Sequence, residues 1–196
     1  MKLKNKYFLL RHGQTPYQRD EDKKGVLYPS PENPPVEITG EGKKQIGEAA
    51  EILKDKKIDL IFSSDFFRTQ QSAGIVSKEL GLEVNLDKRL RDLNIGDFHG
   101  GPKERYQSYF SDKKEKFVKR PPNGENWNDV RKRMLGFLND TEGKYENRNI
   151  LVVSHGDPLW LLAGIVKGLE SNDELLSEKH TDLYPDVGQL IIPQYA

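Results

Sequence analysis

The residues in this sequence best suited to chemistry are Arg11, His12, Arg68 and His155. Arg11-His12-Gly13 follows the apolar run Tyr7-Phe8-Leu9-Leu10, and Ser154-His155-Gly156 follows Ile150-Leu151-Val152-Val153. Short apolar, β-branched or aromatic runs read as buried strands. Ligands of α/β sheets bind in the crevice at the carboxyl ends of such strands. An arginine there offers a planar fork of donors for phosphate or carboxylate. A histidine beside it can be a nucleophile, a base or an acid near neutral pH, and a glycine lets the backbone turn sharply and come close to a ligand. One such turn could be a buried Arg-His pair that satisfies its own hydrogen bonds. Two His-Gly turns at two strand ends are much harder to explain that way.

Arg68 joins them by position. Ile58-Asp59-Leu60-Ile61-Phe62 reads as a strand and Ser63-Ser64-Asp65 as a capping cluster. Ala73, Val76 and Leu80 continue a helical face from Thr69, which puts Arg68 in the first turn of a helix. A cation is disfavoured at that end of the helix dipole unless an anion binds nearby. Gathered around one point, Arg11, His12, Arg68 and His155 would match a tetrahedral phosphate with up to two negative charges, and the cations would push His12 towards its neutral form. The histidines lack paired metal-ligand spacing, and no Gly-rich phosphate loop of the Walker type is present, so no metal and no cofactor is expected. Phosphoryl transfer is mainly positioning and electrostatic stabilisation, so arginines can do work often given to Mg²⁺.

The elements that must position these groups alternate between strand and helix. Pro16 to Pro35 is polar and Pro-rich and reads as a loop, either a wall of the site or a mobile surface segment. Thr39 reads as an N-cap, with Ile46, Ala49, Ala50 and Leu53 on the apolar face that follows. Gly81 stops the second helix before the short strand Glu83 to Leu86. Gly101 to Pro122 is basic with interleaved aromatics and shows no clean helical period. Asn123 to Trp127 opens a helix whose stripe is Trp127, Val130, Met134, Phe137 and Leu138, and Trp127 reads as core. After the strongest strand, Asp157 reads as N-cap and Pro158 as the first helical residue, with Gly168 as the stop. Ser171 to Glu178 is an acidic, polar tail segment, and Val187 to Ile192 reads as an edge strand. His99 and His180 carry no evident role. The alternation predicts a three-layer α/β/α sandwich formed as a single domain over residues 1–196.

Composition sets limits. A length of 196 residues suits one domain with a sizeable core. A formal net charge of zero argues against a dedicated nucleic-acid or anionic-membrane binder. The absence of cysteine excludes disulfides and thiol chemistry and fits a reducing compartment. The basic start is followed by an apolar run too short for a signal peptide, so a cytoplasmic protein acting on a small phosphorylated substrate is expected. No pattern speaks to oligomeric state.

Leu10-Arg11-His12-Gly13-Gln14-Thr15 resembles the Arg-His-Gly signature of the histidine phosphatase superfamily, the phosphoglycerate mutase-like proteins. The resemblance continues through Ile38-Thr39-Gly40-Glu41-Gly42, through Ser63-Ser64 with Arg68, and to the final strand. It implies a mostly parallel mixed sheet with one antiparallel strand. It also implies that His12 is a nucleophile forming a phosphohistidine, that Arg11 and Arg68 bind phosphate, and that His155 is a phosphate ligand and the partner of His12. Leu90, Gly96 and Gly100 fall in register with a family loop whose Glu is the proton donor; here Asp92 takes that place, one methylene shorter. A turn residue, or an ion pair with Arg89 or Arg91, is the other reading of Asp92. Gln18 stands where the family often has a phosphate-contacting Asn, and Thr15 could contribute a hydroxyl instead. The 101–122 stretch would be a charged lid, or else a solvated excursion with aromatics packed beneath it. Acid phosphatases take their donor from an acid directly after the second His; here Gly156 intervenes, so Asp157 suits a cap better than a donor. The resemblance implies a metal-independent phosphatase, with a phosphoglycerate-type mutase or a catalytically weak phosphate-binding module as alternatives.

Overall fold

Tyr7-Phe8-Leu9-Leu10 lies at the heart of strand β1 (Lys6–Arg11), buried on both faces. The computed structural model describes residues 2–29, 34–178 and 183–193. In chain order the further elements are α1 (Pro16–Arg19), α2 (Gly40–Lys54), β2 (Leu60–Ser63), α3 (Phe67–Leu80) and β3 (Val84–Leu86). Then come α4 (Lys103–Ser108), α5 (Trp127–Lys144), β4 (Asn149–Ser154), α6 (Gly156–Val166), α7 (Asn172–Glu178) and β5 (Leu190–Ile191). Short 3-10 turns occur at Lys88–Leu90, Gly96–Phe98 and Lys114–Phe117. The five strands form one sheet in the order β3-β2-β4-β1-β5. Its pairs are parallel except β5, which runs antiparallel to β1. The expected α/β architecture with one antiparallel strand is therefore present.

The period-2 alternation of strand side chains divides the core. Phe8, Leu10, Leu151 and Val153 face one side and pack with Ile46, Leu53 and Val76 of α2 and α3. Tyr7, Leu9, Ile150 and Val152 face the other and pack with Trp127, Phe137, Trp160 and Leu162 of α5 and α6. Helices on both faces explain why the central strands read as unbroken apolar runs. Thr39 caps α2 as expected, accepting from Gly42 N at 3.0 Å. Asn126 and Asp129 cap α5 reciprocally. Gly81 ends α3 at φ 68°.

Several expectations are corrected. Pro16 to Pro35 is not loop throughout: Pro16 occupies the first position of α1, and Thr15 and Gln18 form a capping box around it. Ser171 to Glu178 contains α7, because Ser171 Oγ accepts from Glu174 N while Glu174 accepts from Ser171 N. Strands β2 and β5 are shorter than the runs Ile58–Phe62 and Val187–Ile192. His180 lies outside the described residues. Residues 101–122 form α4 and a 3-10 turn, with Tyr106, Phe110 and Phe117 buried beneath an otherwise polar surface.

Candidate active site

Adjacent parallel strands β1 and β4 end in register, Arg11 opposite Ser154, so His12 and His155 emerge side by side. Their ring centroids lie 5.3 Å apart. The turn after β1 needs glycine for space. A Cβ on Gly13 would stand 2.4 Å from Gly42 O, and one on Gly42 would stand 2.4 Å from Gln14 O. The glycines let the strand end lie against the first turn of α2.

His12 is buried, and its Nδ1 is 2.9 Å from Gly13 O. A carbonyl can only accept, so Nδ1 carries the hydrogen and the lone pair sits on Nε2. Burial, reinforced by the Arg68 and Arg11 charges, lowers its pKa well below the ordinary value, although the Gly13 bond opposes the shift. His155, fully buried, is lowered in the same way by burial, then Arg68, His12 and Arg11. Its Nε2 is 3.0 Å from Ser64 Oγ. Among the described residues, the buried Nδ1 of His155 and Nε of Arg11 have no hydrogen-bond partner. Buried polar atoms in such a position are available to bind a ligand.

Arg68 stands in the first turn of α3, as its place in the sequence predicts, and is 1% exposed. Its Nη2 donates to Asp92 Oδ2 at 3.0 Å, and the same oxygen is 3.7 Å from His155 Nδ1. Asp92 thus lies between two of the expected oxyanion ligands. Neither pairing proposed for it from sequence forms: Arg91 pairs with Asp65 at 2.6 Å, and Arg89 with Asp87 at 2.7 Å. Asp92 Oδ1 also accepts from its neighbour Leu93 N at 2.9 Å. Helices α3 and α6 both start here without a side-chain cap, leaving N–H groups that attract anions. This corrects two sequence readings. Phe66, not the Ser63-Ser64-Asp65 cluster, is the N-cap of α3; His155, not Asp157, is that of α6. Asp157 instead accepts from Trp127 Nε1 at 3.1 Å, so Trp127 is more than core.

A cavity of about 690 Å³ opens above this cluster. Arg11, Arg68 and Asp92 line it, together with aromatic walls from Tyr28, Phe66, Tyr106, Trp127 and Tyr184. The 101–122 stretch contributes Lys103, Tyr106, Gln107 and Lys116. Of the other expected site residues, His12, Thr15, Gln18 and His155 do not line it. The Thr15 and Gln18 side chains serve the α1 cap and hold Tyr28, whose hydroxyl is 3.0 Å from Thr15 Oγ1 and 2.6 Å from Gln18 Nε2.

A site with two arginines, two neutral imidazoles, two uncapped helix starts and a carboxylate can hold a tetrahedral oxyanion, offer it a nucleophilic nitrogen and exchange a proton. The family model of the histidine phosphatase superfamily (branch 1) matches residues 7–177.

The chain belongs to the histidine phosphatase superfamily.

Relatives show the range this membership covers. A probable phosphoglycerate mutase, GpmB, of Erwinia tasmaniensis is 29% identical over 174 residues, spanning 85% of this chain and 77% of the relative. A putative phosphoserine phosphatase 2 of Hydrogenobacter thermophilus is 28% identical over 83% of this chain and 78% of its own. Among solved structures, a mycobacterial glucosyl-3-phosphoglycerate phosphatase in complex with VO3 superposes at a TM-score of 0.74. It is 25% identical and covers 87% of this chain and 86% of that one. The fold is that of the phosphoglycerate mutase-like proteins, and the family activity is phosphoryl-group chemistry, by phosphatases and by proteins named as mutases.

Three residues of this site escaped the sequence reading. Tyr28 lies within a stretch with no period, and its ring centroid is 4.2 Å from Arg68 Cζ. His99 bridges two loops, with Nδ1 2.9 Å from Tyr28 O and Nε2 accepting from Ile95 N at 3.2 Å. It is half-buried and its pKa is lowered, chiefly by burial. Arg133 of α5 donates to Asp92 O at 3.0 Å and to Arg89 O, and pairs with Glu125 at 3.0 Å, clamping the acid's loop. No helix of the described residues is long and apolar enough to cross a membrane.

Proposed function

We propose that this chain is a metal-independent phosphatase that hydrolyses phosphomonoesters through a phosphohistidine on His12. The observation that carries the reading is the state of His12. It is held neutral by burial and two arginines, with Nδ1 bonded to Gly13 O and the Nε2 lone pair left to attack. In the first step Nε2 bonds to phosphorus while the ester P–O bond breaks, and the leaving oxygen takes a proton from the Asp92 carboxyl. In the second, water attacks phosphorus, its proton passes to the Asp92 carboxylate, and the P–N bond breaks to restore neutral His12. Arg11, Arg68, His155 and the N–H groups at the start of α6 hold the phosphoryl oxygens. Arginines and helix N-termini supply the positive charge that the transferring group needs.

The cavity is far larger than a phosphate group, and its aromatic walls suit an ester with a substantial organic part. The 101–122 stretch caps it and carries Lys103, which suits a substrate with a second acidic group. A mutase of the same fold is the second reading, favoured by relatives that carry that name. It would return the phosphoryl group to a new hydroxyl instead of to water. A catalytically weak phosphate-binding module would form no phosphohistidine at all.

The test is hydrolysis of an aryl phosphate with chelator present, for wild type and His12→Ala, with trapping of the phosphoenzyme. Chelator-resistant turnover and an acid-labile phosphoenzyme, both lost in His12→Ala, are expected. Turnover that survives in His12→Ala would overturn the mechanism. Net isomerisation of a phosphoglycerate without release of phosphate would select the mutase.

A further inference from the structure

We propose that Ser64 is the positioning residue for His155: its hydroxyl donates to Nε2 and so turns the Nδ1–H of the ring to the phosphoryl oxygens. This rests on the reading that His155 binds the phosphoryl group.

Ser64 directly follows β2 and is fully buried. Its Oγ accepts from Phe66 N at 3.3 Å. A hydroxyl has one hydrogen to give, and a buried one left without an acceptor is costly. Among the described residues, the acceptor within its reach is His155 Nε2 at 3.0 Å. Oγ–H therefore donates and Nε2 accepts. The ring is neutral, because burial and the neighbouring arginines disfavour its charge. A neutral imidazole carries one N–H, so the hydrogen of His155 sits on Nδ1.

The backbone holds this hydroxyl in place. Ser64 N donates to Val153 O at 3.0 Å, on the strand that leads to His155. Ser64 O accepts from Ser63 Oγ and Thr69 Oγ1, each at 2.9 Å. On the other side of the ring, Nδ1 is buried without a hydrogen-bond partner and lies 3.7 Å from Asp92 Oδ2, the oxygen that also holds Arg68. Nδ1–H thus points to where the oxygens of a phosphate would meet Arg68. His12 carries its hydrogen on the same atom, but there Nδ1 is used by Gly13 O and Nε2 is left for the site. One imidazole offers a lone pair to phosphorus and the other a hydrogen to oxygen. With its hydrogen on Nε2, His155 would turn a lone pair towards an anion and repel it.

The experiment is nitrogen NMR of the imidazole rings on the labelled full chain at neutral pH, with the His155 signals assigned by their loss in His155→Ala. Wild type should show Nδ1 protonated and Nε2 bare; the reverse would overturn the proposal without any variant. Ser64→Ala should move hydrogen to Nε2, and a ring still protonated wholly on Nδ1 would mean that Asp92, not Ser64, sets it. Ser64→Cys, with its weaker donor, replaces Ser64→Ala if thermal melts show that the alanine variant does not fold. Calorimetry with inorganic phosphate should give affinity weaker by roughly tenfold in Ser64→Ala. In the His155→Ala background, Ser64→Ala should add nothing, because the hydroxyl acts through the imidazole. Fully additive losses would overturn the positioning role while leaving His155 as the ligand. Unchanged affinity in His155→Ala would overturn the phosphate-ligand reading, and the positioning role with it.

Discussion

Replacing Asp92 by Asn should tighten phosphate binding while it slows catalysis. In the structure the Asp92 carboxylate occupies Arg68 Nη2 at 3.0 Å, with the two side chains 27% and 1% exposed. A phosphoryl oxygen that takes Nη2 must first break that bond. Hydrogen bonds to charged groups contribute about 1.5–3 kcal/mol. Asparagine keeps a neutral acceptor in the same place, so only part of this is recovered, and inorganic phosphate should bind about tenfold more tightly. Loss of the proton donor should lower kcat by about 10²–10⁴-fold. The leaving group separates the two effects. An alkyl phosphate, whose alkoxide needs the proton, should show the full loss; p-nitrophenyl phosphate, whose phenolate leaves readily, should show much less. The assays are steady-state kinetics on both esters and product inhibition by phosphate. Weaker phosphate inhibition, with the same loss of kcat for both esters, would refute the reasoning and return Asp92 to a structural turn residue.

Three other perturbations bear on the same architecture. His12 and His155 are held neutral in the fold but take protons when unfolded below their ordinary value of about 6.5. Their contribution to stability is complete above that pH and is lost as pH falls towards the lowered native values, by about 1.4 kcal/mol per histidine per pH unit. Urea unfolding from pH 7.5 to 5 should show this slope, and His12→Asn or His155→Asn should flatten it; an unchanged slope in both would assign the acid sensitivity elsewhere. Arg133→Met removes the donors to Asp92 O and Arg89 O, so kcat should fall roughly tenfold through misplacement of the acid, with phosphate affinity little changed. A matching loss of phosphate affinity would count against a clamp confined to the acid loop. Gly13→Ala places a methyl group 2.4 Å from the backbone oxygen of Gly42 and should cost about 1–3 kcal/mol in chemical denaturation; a neutral result would mean that the β1–α2 contact yields freely.

Legibility followed the physics of each signal. Strands β1 and β4 are buried on both faces, so their apolar runs stand out without any partner being known. The face of α2 and the stripe of α5 are periodic because one side of each meets the sheet. Arg68 was found because a cation in a first helical turn is electrostatically out of place. Asp157 was misread because the sequence carries cap chemistry but not the competitor for it: Trp127 Nε1, 30 residues away, takes the carboxylate. The same holds for Asp92. Two arginines close by in sequence seemed its natural partners, yet the fold sends them to Asp65 and Asp87 and supplies Arg68 from a helix.

By itself the sequence determined that two His-Gly turns end two buried strands, that an arginine opens a helix after a third, and that phosphate is the ligand such groups suit. Those are local facts, set by composition, periodicity and the polarity of a helix end. Tertiary structure alone decided which groups meet. Parallel register between β1 and β4 put His12 beside His155; the packing of α3 brought Arg68 onto Asp92; and the loop after α1 laid Tyr28 across the guanidinium. Contacts between residues far apart in the chain depend on how whole elements pack, and no local pattern encodes that.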